Sequence, residues 1–259
     1  MSKNPWFLAP FAPLGTLLAV VVVAAPSADL HAQSGQPDFL FSPPSLNVTL
    51  RGGLMDYQAT GQLFDFTSDL FTTDASDFRG RTLGIELGVR LSEHFEATLG
   101  LDGGQVTVNH ESRDWEEVDG SPIRQTTRVR SGPSGQLGLK GYILPQGEQI
   151  GQFAWVPNRA NLFVSGGIGV TAYEFRQFGD FVNEEPDPAL IFSDDYQSEG
   201  AAFLMYAGAG GEVTLRRNLA LVLEGRYQWS EDELDGDFGD FEPINLNGLR
   251  LTAGLSVRF

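Results

Sequence analysis

Leu249-Arg250-Leu251-Thr252-Ala253-Gly254-Leu255-Ser256-Val257-Arg258-Phe259 closes the sequence. Leu249, Leu251, Ala253, Leu255, Val257 and Phe259 alternate with Arg250, Thr252, Gly254, Ser256 and Arg258. An apolar side chain at every second position is the signature of a β-strand with one apolar and one polar face. In hydrocarbon such a strand must pair along both edges, because each unsatisfied backbone N–H or C=O costs several kcal/mol there. The pattern predicts that the last strand pairs with the first and closes a barrel.

Seven further segments carry related patterns. The first covers about 45–57, with Leu46, Val48 and Leu50 opposed by Asn47, Thr49 and Arg51. The second, about 80–91, sets Leu83, Ile85, Leu87, Val89 and Leu91 against Thr82, Gly84, Glu86, Gly88 and Arg90. In the third, about 95–109, Phe95, Ala97, Leu99 and Leu101 give way to Val106 and Val108, a phase change at Gly103-Gly104 that predicts a β-bulge. The fourth, about 125–144, is interrupted by Pro133, which predicts a bulge or break. The others are about 160–175, 201–215 and 218–229. Ser92-Glu93-His94 and Arg216-Arg217-Asn218 read as tight turns, and 145–159 as a longer one.

The remaining connections, 58–79, 110–124, 175–200 and 230–243, are long and acidic. They hold 23 of the 34 Asp and Glu residues and only four Arg, in a chain of net charge −17. Short turns at one end and long loops at the other predict an up-and-down membrane barrel with acidic extracellular loops. Nucleic acid is excluded as a partner, since it requires a basic footprint. The absence of cysteine excludes a disulfide scaffold and thiol chemistry.

The N-terminus reads as a secretory signal: Lys3, an apolar run from Leu14 to Ala25, then small residues to Ala32. We expect cleavage after Ala32, a periplasmic lead-in over 33–44 and a barrel over 45–259. No later apolar run is long enough for a membrane helix.

Alternation alone does not say which face is inside. A secreted soluble barrel would turn its apolar face inward. Three features favour the membrane version. The polar face is rich in glycine (Gly84, Gly88, Gly100, Gly208, Gly210, Gly254), as a narrow lumen requires. Its charges nearly balance: Glu86, Glu96, Asp102, Glu212 and Glu224 against Arg51, Arg90, Lys140, Arg226, Arg250 and Arg258. Tyr227, Trp229 and Phe259 sit at strand ends, where an interfacial girdle belongs. A lumen this narrow is filled by side chains, so these charges are expected to form a salt-bridged plug.

The ending on Phe259, together with Asn218-Leu219-Ala220-Leu221-Val222-Leu223-Glu224-Gly225-Arg226-Tyr227, resembles the bacterial outer-membrane β-barrel superfamily in its small OmpA/OmpX-like eight-stranded form. The resemblance implies an all-β, closed antiparallel barrel in the outer membrane, surrounded by outer-membrane lipid and lipopolysaccharide. It implies delivery to the barrel-assembly machinery through the C-terminal strand, and a monomer. It carries over no cell-wall-binding domain. It specifies architecture and leaves two roles open: a structural or surface-interaction barrel, or a narrow porin or OmpW-like conduit for small or hydrophobic molecules.

Three sites are candidates for chemistry. His110, Glu111 and Ser112 echo the His-x-Ser pair of barrel lipid A deacylases, but Arg113 stands where that family has Asn, and the segment reads as a solvated loop. Asp235, Asp237 and Asp240 offer oxygen ligands for Ca²⁺ without EF-hand spacing. Phe64, Phe66, Leu70, Phe71, Phe178, Phe181, Leu190, Ile191 and Phe192 are apolar residues in acidic loops that would either line a conduit mouth or pack on one another. We expect no catalytic residue, cofactor or metal.

Overall fold

A computed structural model of the protein describes residues 39–183 and 190–259. The expected signal peptide, 1–32, and the first part of the lead-in lie outside them. In chain order the strands are β1 (Leu46–Tyr57), β2 (Arg79–Arg90), β3 (Phe95–Glu116), β4 (Pro122–Tyr142), β5 (Gly147–Ile150), β6 (Ala154–Pro157), β7 (Ala160–Asn183), β8 (Leu190–Arg216), β9 (Leu219–Asp232), β10 (Ile244–Asn245) and β11 (Gly248–Arg258). The eight long ones form one antiparallel meander. Its ring closes where β11 pairs with β1, from Asn47 opposite Arg258 to Tyr57 opposite Gly248. The short β5 and β6 form a separate hairpin, and β10 adds to β9.

Three strands, β3, β7 and β8, run far beyond their expected ends. The segments 110–124 and 175–200, read as loops, are largely β-structure: β7 and β8 stay paired from Ala160 opposite Val213 up to Asn183 opposite Leu190. The alternation persists there, but the face turned inward is now apolar. Val106 and Val108 of β3, Val129 of β4, and Tyr173 and Phe175 of β7 are buried inside the ring. Gln105, Thr107 and Asn109 face out.

The phase change at Gly103-Gly104 is therefore not a bulge in β3. Even-numbered residues of β3 point inward on both sides of it, from Glu96 to His110, and the pairing with β2 runs through unbroken. What changes is the solvent outside. The bulge lies opposite, in β4, where Asp102 faces Ser134 but Gly104 faces Ser131. The extra residue sits at Gly132-Pro133 and switches the inward positions from odd to even, consistent with the expectation at Pro133. Gly132 has φ 110, and a Cβ there would lie 2.6 Å from Gly103 Cα, so only glycine fits this crossing.

Below this level the outside is a continuous apolar belt: Leu99 and Leu101, Leu137 and Leu139, Val164 and Ile168, Leu223, and Leu251 and Leu255 are all exposed. A closed ring with such a belt and a polar lumen matches a bilayer-spanning barrel.

Candidate functional site

The lumen within the belt holds an ion-paired cluster. Glu86, 1% exposed, is its centre. Its carboxylate meets Arg51 at 2.7 Å, Arg226 at 2.6 Å and the Lys140 ammonium. Arg226 also meets Glu224 at 2.8 Å, and Arg51 reaches Glu224 at 3.4 Å and Asp102 at 3.2 Å. Arg250 pairs with Asp102 at 2.5 Å. These side chains come from β1, β2, β3, β4, β9 and β11, so the cluster ties most of the ring together. Glu224 also accepts a hydrogen bond from Ser165 and Asp102 one from Gln136.

The other expected members lie lower. Glu96 is 4.0 Å from Lys140 and accepts hydrogen bonds from Asn47 and Gln146. Glu212 pairs with Arg258 at 2.6 Å, apart from the central cluster. Arg90 joins no ion pair among the described residues. Its guanidinium lies over the Trp155 ring, 5.5 Å from the centroid. Trp155 belongs to the β5–β6 hairpin, expected only as a longer turn. The hairpin folds against the mouth of the barrel on the side of the Glu96–Lys140 contacts, where Leu40 bridges to Trp155, and Gln146 beside it reaches into the lumen. Gln146 and Ser165 escaped sequence reasoning because a neutral side chain carries no signal of the charge it will meet.

Above the belt the ring is filled by a second, apolar layer. Helix α1 (Gln62–Leu70), lying in a segment read as loop, turns Leu63, Phe64 and Thr67 inward. These positions share one helical face. Thr67 donates to the Leu63 carbonyl and accepts from Gln177 on β7 at 2.8 Å, which fixes the helix to the ring. Phe64 makes edge contacts with Phe78 at 5.0 Å and Phe175 at 5.9 Å, and Phe175 with Phe238 at 5.2 Å. Met55, Leu234, Ile244 and Leu246 complete this core.

The three candidate sites are placed as follows. His110 points inward, stacked on Phe71 at 4.5 Å, with Nε2 2.7 Å from the Thr127 hydroxyl. Burial pushes its pKa down to about 4. Ser112 bridges to Phe71, and Glu111 pairs with Arg124 at 3.3 Å. Asp235 accepts from Gly236 N–H and Asp237 from Gln197 N–H. Among the described residues no three His, Cys, Asp or Glu side chains converge as metal ligands. Of the apolar loop residues, Phe64 and Phe71 are buried. Phe181 packs on Phe71, Phe192 and Tyr196. Phe66 packs on Phe241, and Phe178 lies beneath the Arg128 and Arg176 guanidiniums.

No protein-family model matches the chain. No curated protein matches it either. Solved structures do resemble it. A major outer membrane protein from Thermus thermophilus is 11% identical with a TM-score of 0.45, over 83% of this chain and 100% of that one. OprG from Pseudomonas aeruginosa is 9% identical with a TM-score of 0.43, over 85% and 99%. Neisserial surface protein A is 11% identical with a TM-score of 0.40, over 83% and 96%. The class follows from the molecule itself: a closed eight-stranded meander, an apolar outer belt and an ion-paired lumen make it a β-barrel of the membrane-spanning kind.

Proposed function

We propose that the protein is a non-conducting barrel whose working part is the acidic, folded head it raises above the membrane. One observation carries this reading: the lumen is filled in successive layers. The Trp155 hairpin lies at one mouth of the barrel, the Glu86 cluster within the belt, and the Phe64–Phe175 core above it. An ion crossing would have to break buried ion pairs and then traverse a close-packed apolar layer, and each step is costly.

The role is structural or one of surface interaction, and non-enzymatic. Supporting this, His110 is stacked on Phe71 and both it and the Thr127 hydroxyl it meets are buried within the packed head, away from any substrate in solution. The conduit reading is disfavoured because the loop aromatics spend their faces on one another. The terminal strand, ending in exposed Phe259, serves assembly into the membrane, and the barrel works as a monomer. The test is conductance of refolded protein in a planar bilayer. Silence from folded protein is the expected result, and reproducible unitary steps would reject the plugged lumen.

A further inference from the structure

Arginines gather on one outer side of the barrel just above the belt. On β2 the outward positions change from Leu83 to Arg81. On β3 they change from Leu101 to Gln105. On β4 they change from Leu137 to Arg130 and Arg128 across the bulge, and on β7 from Val170 to Glu174 and Arg176. The register aligns them. Arg81 and Arg130 both oppose Gln105, and Arg130 opposes Glu174. One rung higher, Arg128 opposes Thr107 on one side and Arg176 on the other. In a chain of net charge −17 this concentration of cations is local.

Two of the four arginines have acidic partners. Arg130 is paired with Glu174 at 3.0 Å and also donates to Gln105. Arg176 is paired with Asp195. Arg81 and Arg128 form no ion pair among the described residues, and Arg128 Nε is buried without a hydrogen-bond acceptor. Arg128 also directly faces Arg176, both over the Phe178 ring at 5.2 and 5.3 Å. Asp195 lies beside these two opposed cations and offsets one of their charges, and the face keeps a net positive charge that a further anion would balance.

We propose that this face, centred on Arg81, Arg128 and Arg130, is a binding site for the phosphate of an outer-leaflet glycolipid. Guanidinium groups match phosphate oxygens in a bidentate fashion. The height selects the lipid over free phosphate. The row stands directly above Leu83, Leu101 and Val170, so acyl chains lying on those side chains bring their headgroup to the arginines. Basic residues at a membrane surface attract anionic headgroups in the same way. The proposal rests on the barrel lying in an outer membrane.

The test uses the refolded chain in detergent micelles, with native mass spectrometry reading the lipid-bound fraction across a titration. The probes are bis-phosphorylated lipid A, its dephosphorylated form and inorganic phosphate. The bis-phosphorylated lipid should bind at least about tenfold more tightly than the dephosphorylated one, and R81Q/R128Q should lose about the same factor. R124Q, higher on β4 and already paired with Glu111, should keep wild-type affinity. Equal binding by R81Q/R128Q, or by dephosphorylated lipid, would overturn the proposal. Displacement of the lipid by equimolar inorganic phosphate would assign the site to the free ion instead. Failure of the barrel reading itself would show separately, as loss of the folded, heat-modifiable band on a gel.

Discussion

The two halves of this barrel are built from the same strands with inverted chemistry. In the belt, Leu99 and Leu101 face outward and Glu96 and Asp102 inward. A few residues further along β3, Gln105, Thr107 and Asn109 face outward and Val106 and Val108 inward. The backbone alternation never breaks in β3. The solvent therefore dictates the face: lipid outside requires the polar groups within, and water outside allows an ordinary apolar core. The lower half resembles a membrane protein and the upper half a small soluble domain sharing its ring.

Several substitutions should break or sharpen that contrast. The largest effect is expected for Glu86→Ala, which strands Arg51, Lys140 and Arg226 without their common partner. Leaving buried charge unpaired costs about 3–5 kcal/mol, to be read as a lower urea midpoint of the barrel in micelles. Glu224→Ala and Arg226→Ala should act in the same direction, and unchanged midpoints for all three would dismiss the ionic plug.

Phe175→Ala in the upper half removes a ring that touches Phe64 and Phe238. A loss of about 3–5 kcal/mol is typical for such truncations. Here it should open the head to protease while the belt remains heat-modifiable. Simultaneous loss of both halves would show that they fold as one unit.

The outer face offers a paired comparison on one strand. Leu99→Arg, inside the belt, should cost about 2–4 kcal/mol, falling toward zero for positions near the interface. Thr107→Arg, on the same face, should change stability by less than about 0.5 kcal/mol. Equal penalties at the two positions would remove the inversion.

The smallest effect concerns pH. Burial holds the native His110 pKa at about 4, below an unfolded value of about 6.5. Between these values the unfolded head takes up a proton that the native head does not. His110 is therefore neutral about equally in both states above about pH 7, and the head is destabilised progressively as pH falls toward 4. Hydrogen exchange of the upper strands should accelerate across that window in the wild type and less so in H110Q. Identical profiles would discount the histidine.

The terminal strand made the barrel legible, because period-2 alternation over Leu249–Phe259 has no other economical reading. The inward charges followed from the same pattern. The head did not. A change of hydrophobic phase has two physical origins, an extra residue or a change of surrounding solvent, and residues 103–104 show them to be indistinguishable in one sequence. Segments 58–79 and 230–243 were dominated by their acids, which hid Phe78, Leu234 and Phe238. These residues are core only because α1 and the turn at Gly236–Phe238 fold over the open end of the ring. The pairing of Glu212 with Arg258, away from the central cluster, depends on the stagger of the strands, which side-chain identity does not encode.

The inversion is tested most directly by accessibility scanning along β3. The chain has no cysteine, so single cysteines at positions 97, 99, 101, 105, 107 and 109 can each carry a nitroxide without background. In lipid vesicles, collision rates with oxygen should dominate at 97, 99 and 101, and those with a water-soluble nickel reagent at 105, 107 and 109. The crossover should fall between Leu101 and Gln105. Lipid-like accessibility continuing through position 109, or water-like accessibility at position 99, would contradict the division of the barrel into two solvents.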